Sequence, residues 1–237
     1  MTKRQKTALI GGDLLVILAI LGLGFALLVL AVPRTVAHSK MAPGKAVLSD
    51  LSRGKTVGPE RLHRSIASHK EALSWLDMAD GWIDIGTFRL ALARRPDLTE
   101  AARRALLQQS KSAISAGLSL SPARPFAWTR LAQTHQMLDS GAPAIDPLLR
   151  MSMTLGAREP DLLTQRVRIG YAARAALSEA TRNRLAADVR LWALHDSAGL
   201  AEWGRRNFAL PWIRRALEDD ASLHGRFLSS YLRLPAR

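Results

Sequence analysis

A chain of 237 residues, 48% hydrophobic and with 34 Lys and Arg against 20 Asp and Glu, is long enough for one ordinary domain plus an extra segment. It has no cysteine, which excludes disulfides, thiolate-held metals and a cysteine nucleophile. The formal net charge of +14 favours anionic partners, although such a surplus also arises where Arg serves simply as a solvated helix residue.

Leu14 to Val32 reads LLVILAILGLGFALLVLAV, an uncharged apolar run of 19 residues. At about 1.5 Å per residue it matches the roughly 30 Å hydrocarbon core of a bilayer, and so predicts a transmembrane helix. Lys3, Arg4 and Lys6 precede it. Basic residues stay cytoplasmic, which predicts a cytoplasmic N-terminus (1–13), an anchor (14–32) and a periplasmic remainder at a bacterial inner membrane. A cleaved signal peptide competes with this reading, Thr35 to Ala37 offering a small-residue cleavage site. The apolar region of a cleavable signal is usually about 7–15 residues, which favours the uncleaved anchor. Gly22 and Ala26 form a small-xxx-small pair of the kind that packs helices in membranes. Residues 33–58, with several Gly, Ser and Pro, predict a mostly extended linker. Gly54-Lys55-Thr56 within it is no phosphate loop, because Ser49 stands where the required glycine would be.

From residue 59 onward helix formers dominate and no alternating run suggests a strand, which predicts an all-α domain over 59–237. Pro59 opens the first helix, and Leu62, Ile66, Leu73, Trp75 and Leu76 recur at helical spacing. Trp82, Ile85, Leu90 and Leu92 carry the pattern past Gly81. Arg94 to Thr99 is a turn, with Asp97 or Thr99 capping a helix over about Leu98–Gly117 that Gly117 ends. Pro125 opens a helix with Trp128, Leu131, Ala132 and Leu138 on its apolar face, and a second helix follows over Ala144–Leu155. Pro160 opens the next, and Ser178 caps another. Two short helices split at Leu210-Pro211, and a final helix carries Phe227, Leu228, Tyr231 and Leu232.

Pro122, Ala123, Arg124 and Trp128 fall 34 residues before Gly156, Ala157, Arg158 and Leu162. Counted from Pro125, the bulky, Leu and small positions of a first helix hold Trp128, Leu131 and Ala132. The small, bulky and breaker positions of a second hold Ala144, Leu148 and Gly156. On these residues the segment 125–158 resembles one tetratricopeptide repeat. His135 and Met151 depart from it, and the flanking units match loosely. The resemblance implies an α-solenoid of antiparallel helix pairs whose first helices line a concave face. Partner contacts then fall to Phe126, Thr129, Gln133 and Gln136. The layout of anchor, SLSP…P.AW..LA unit and final RFLSSYL also resembles membrane-anchored accessory proteins of proteobacterial exopolysaccharide and envelope-assembly loci. That resemblance implies envelope or polysaccharide-export proteins as partners, with no catalytic residue carried over.

No constellation points to an enzyme, a cofactor or a metal. His63 and His69 are six apart and so lie on different helix faces. Asp77, Asp80 and Asp84 share a helix face, which reads as a solvated face paired with Arg or as a cation site. Trp75, Trp82 and Trp128 are expected in the core. Trp203 and Trp212, each followed by an Arg pair, are the better candidates for stacking on an anionic polymer. Two functions therefore stand: a periplasmic scaffold or adaptor for protein partners, without nucleic acid, or direct binding of acidic polysaccharide or anionic lipid through Arg205, Arg206, Arg214 and Arg215.

Overall fold

The helix that begins in the apolar segment does not stop where that segment ends. In the computed structural model, which describes residues 3–234, α1 runs unbroken over Lys3–Ser52. The first two and last three residues, assigned above to the N-terminus and to the end of the helical domain, lie outside the described residues. Ten further α-helices follow: α2 (Pro59–Trp75), α3 (Ala79–Ala93), α4 (Glu100–Leu120), α5 (Pro125–Leu138), α6 (Ile145–Leu155), α7 (Pro160–Ala172), α8 (Glu179–His195), α9 (Ser197–Arg206), α10 (Leu210–Ala216) and α11 (Ala221–Leu232). A short 3-10 turn lies between α7 and α8, and no strand occurs among the described residues. The all-α class expected from the helix formers is the observed one. One helix among the described residues is long and apolar enough to cross a membrane, over Ile20–Ser52, and only 6% of its apolar window is buried against protein.

Residues 33–52, expected as extended linker, are helix despite Pro33 and Pro43. The reason is packing. Ala37, Met41, Gly44, Val47 and Leu51 recur at helical spacing, and Ala37, Met41 and Val47 are buried, packed in clusters with α2 and α3 residues. Burying that stripe compensates the backbone hydrogen bonds the prolines forgo. Gly54, at φ 72, takes the left-handed turn that leads out of the helix.

Two other boundaries differ from expectation. The pattern crossing Gly81 is two helices, broken at Leu76–Met78, where Leu76 and Met78 are extended. Gly117 does not end α4, which runs on to Leu120. Gly117 instead lets α4 lie against α3: an added Cβ would sit 2.6 Å from Ile83 and 2.8 Å from the Ala79 carbonyl. The capping positions held: Thr99 accepts from the Ala102 N–H and Ser178 from that of Thr181.

Helices α1 to α6 pack on their neighbours in the chain and α7 packs on α8, while α5 also touches α7, α8 touches α10, and α11 packs on α9. The core is accordingly a row of clusters. Val47, Ile66, Ile85 and Phe88 fill the first, Ala132, Leu149, Ile169 and Leu185 a middle one, and Trp192, Trp203, Ile213 and Phe227 the last. The row is tied together by a buried ion pair. Arg166 of α7, fully buried, donates from Nε (2.8 Å) and Nη2 (3.3 Å) to the two oxygens of Asp188 in α8. Its Nη1 donates to the Gly156 carbonyl after α6.

Candidate functional site

Successive residues on a helix point 100° apart, so Phe126, Arg130, Gln133 and Met137, at i, i+4, i+7 and i+11, form one stripe along α5. Phe126 is exposed, and Arg130, Gln133 and Met137 are half-buried. Two of the four expected contact residues, Phe126 and Gln133, thus fall on an accessible stripe. Gln136 is half-buried, one turn-quarter away. Thr129 is a correction. It is fully buried, with its hydroxyl 2.6 Å from that of Ser152 in α6 and donating to the Pro125 carbonyl, so it holds α5 to α6 and meets no partner.

The residue that replaces it is Arg130, next in the chain. Burial and the neighbouring charge of Arg94 lower its guanidinium to about 10, and Asp84 offsets this in part. Arg94, at the end of α3, is lowered by burial and by the charge of Arg168 in α7. Arg168 is lowered in turn by burial and by Arg206. Arg94 and Arg168 are nevertheless solvent-exposed. Among the described residues none of Arg94, Arg130 and Arg168 makes a side-chain ion pair; Arg168 lies 5.7 Å over the Trp192 ring. Asp84, the carboxylate nearest Arg130, is already 3.3 Å from His69 Nε2. Gln133 Oε1, on the same stripe, is buried without a hydrogen-bond partner.

Phe208 lies in the α9–α10 turn. The Tyr171 hydroxyl of α7 donates to the Asn207 carbonyl (3.1 Å), which fixes the α9–α10 turn to the helix that carries Arg168. Phe208 is 88% exposed and has φ 54. A non-glycine residue in the left-handed region costs about 1 kcal/mol, and an aromatic ring in water gains nothing in return. Phe208→Gly should therefore leave the melting temperature unchanged or raise it. Calorimetry tests this, and a marked fall in the melting temperature would count against it.

The four arginines proposed for an anionic polymer are not brought together as a set. Arg206 pairs with Glu202 at 3.0 Å, and Arg205 donates to the Tyr231 carbonyl and stacks on that ring at 4.9 Å. Arg214 and Arg215 are exposed. Arg215 and the half-buried Trp212 line a hollow of about 600 Å³ between α8 and α10, with Arg174, Arg182 and Arg190. Glu179, Glu218 and Asp219 line it too, and Asp219 already pairs with Arg190 at 3.1 Å. Trp203, read either as a stacking candidate or as a core Trp beside surface bases, is buried against Trp192 and Tyr171, whereas Trp75, expected in the core, is 49% exposed.

The acidic trio also separates. Asp77 lies in the α2–α3 break and accepts from the Trp82 indole at 2.6 Å, Asp80 pairs with Arg124 at 3.0 Å, and Asp84 faces His69. Asp77 lies off α3, so only Asp80 and Asp84 share a helix face, and each has its own partner. Among the described residues no group of three or more His, Asp or Glu is placed to hold a metal ion. No family model matches the chain, and neither a curated protein nor a solved structure is found that resembles it.

Proposed function

We propose that the chain is a single-pass inner-membrane adaptor. Its helical domain stands on the periplasmic side and holds a protein partner against the concave side of tetratricopeptide-like helix pairs. The observation that carries this reading is α1. One helix runs from the apolar segment into packed contact with α2, which favours a domain held at a defined attitude to the bilayer over one on a tether. The bases before the apolar run favour this orientation. The accessible stripe of aromatic, amide and guanidinium groups on α5 suits recognition of a protein chain. A place in envelope or exopolysaccharide assembly is drawn from the sequence resemblance alone.

The absence of cysteine makes the orientation test clean, since an introduced cysteine is the only thiol. Cysteine at Thr2 should resist a membrane-impermeant maleimide in cells with a permeabilised outer membrane, and cysteine at Arg158 should label. The reverse pattern overturns the orientation. A photocrosslinking residue at Phe126 should capture a discrete envelope protein that the same residue at Met151, on the other helix of the pair, does not. Equal or absent capture at both overturns the adaptor. The hollow beside Trp212 supports the second reading, direct binding of an acidic glycan or lipid surface. Glycan or lipid recovered in place of protein, and lost in Arg214→Ala/Arg215→Ala, would move the assignment there.

A further inference from the structure

We infer that the end of the helical domain formed by the α2–α3 break and the C-terminus of α4 rests on the lipid surface, with Trp75 and Leu120 seated at the boundary between headgroups and acyl chains. The inference rests on α1 as a membrane anchor, as in the proposed function, and holds for any partner.

α1 sets the height of the domain above the bilayer. The apolar run ends at Val32, and the first buried contact of α1 with the domain is at Ala37. Along a helix that separation is only about 7 Å. The headgroup region adds roughly 5–7 Å on each side of the hydrocarbon core, so Ala37 stands at its outer edge. α2 runs back along α1 towards the bilayer: Asp50 meets Arg61 at 3.2 Å, and Lys40 meets Glu71 at 2.6 Å. Beyond Glu71, Leu76 and Met78 pack in one cluster with Ala37 and Met41. Trp75, 49% exposed, is thus carried at the height of the headgroups. α3 leads away again and α4 returns: Arg89 donates to the Gln109 carbonyl at 3.2 Å, and Gly117 lies against Ala79. Leu120, 50% exposed, ends α4 one turn beyond Gly117, at the height of the α2–α3 break.

The charges follow the same axis. No residue from Ser112 to Ala123 is charged. At this end Asp80 is paired with Arg124 at 3.0 Å, and Asp77 accepts from the Trp82 indole. The opposite connections carry Arg53, Lys55, Arg94 and Arg95. An end whose charges are paired approaches a medium of low dielectric at the smaller cost. Tryptophan favours this boundary because its ring is apolar and its N–H is polar. A protein occupant does not fit: the gap of about 7 Å is thinner than a helix, about 10 Å across.

The chain has no cysteine, so Trp75→Cys, Leu120→Cys, Lys55→Cys and Leu23→Cys each give one site for an environment-sensitive nitrobenzoxadiazole label. The full-length labelled protein is placed in nanodiscs with and without lipid bearing a doxyl quencher near the top of the acyl chain. Labels at 75 and 120 should emit to the blue of that at 55 and lose most of their emission to the quencher, while the label at 55 loses little. Quenching at 75 and 120 no greater than at 55 overturns the inference. Blue-shifted emission at 75 without quenching means that protein or a second copy covers this end, and overturns the lipid assignment. An unquenched label at 23 overturns the anchor as well, whereas a quenched 23 with an unquenched 75 spares the anchor and sinks only the inference.

Discussion

Asp188→Ala should lower the stability of the helical domain by about 3–5 kcal/mol, because it strands Arg166 as a fully buried, unpaired cation. At this size such a loss lowers the melting temperature by roughly 6–20 °C. The loss is the cost of breaking the pair, not the worth of having it. Replacing both partners at once, as Arg166→Met/Asp188→Leu, should recover much of the difference, since hydrophobic pairs of similar volume often match a buried ion pair. The carboxyl group also sets a pH dependence. Burial pushes Asp188 up to about 6, more than the Arg166 guanidinium lowers it. A carboxyl raised on folding takes up a proton between its unfolded value near 4 and its folded value. A protonated carboxyl still accepts from Arg166, as Ala cannot, so the Asp188 contribution should be greatest at the acid end of that window and fall as pH rises towards 6, opposed by His135, which burial lowers. Asp50, Asp97 and Asp146 are held below the usual carboxylate range and titrate outside the window. Urea unfolding at pH 4, 5 and 6 measures the slope. Asp188→Asn with the wild-type slope, or Asp188→Ala with an unchanged melting temperature, would sink this account.

What could be read in the sequence was what short-range chemistry decides. Pro59, Pro125 and Pro160 stand at helix starts because their fixed φ suits the first turn, and Thr99 and Ser178 cap because their hydroxyls reach a free N–H three residues on. What escaped depends on neighbours. Residues 33–52 carry the composition of a linker, and their buried stripe acquires meaning only against α2. The α2–α3 break contains no glycine or proline; Leu76 and Met78 within it pack against Ala37 and Met41 of α1, and Asp77 accepts from the Trp82 indole. Gly117 looks like a stop and serves as a point of close approach. The site was missed by one residue. Thr129 and Arg130 differ by 100° around α5, and the repeat register turned outward the residue that the α5–α6 contact turns inward. The signal available was Arg130 lying between Phe126 and Gln133 at helical spacing.

Gly44→Val should detach the C-terminal half of α1 from the helical domain. A Cβ at residue 44 would fall inside contact distance of His69 Cε1 and 3.1 Å from both ring nitrogens. The ring has nowhere to go: it is fully buried, its Nδ1 is 2.9 Å from the Ser65 carbonyl, Nε2 faces Asp84, and Phe88 meets it edge-on at 5.2 Å. Overpacking of this kind costs about 1–3 kcal/mol through a methyl group alone, and a branched side chain adds to it. Because α1 is joined to α2 by only a short connection, the cheaper response is for α1 to lift away, exposing Ala37, Met41 and Val47. Hydrogen exchange should then quicken over residues 37–51 while α7 and α8 keep their protection, since local opening follows the contacts that were lost. Gly44→Ala should give a smaller effect in the same place. Protection over 37–51 unchanged in Gly44→Val would mean that α1 does not rest on His69. The adaptor reading adds a second consequence. If the attitude of the domain to the bilayer matters, capture at Phe126 should fall in Gly44→Val even though no residue of the α5 stripe has been altered.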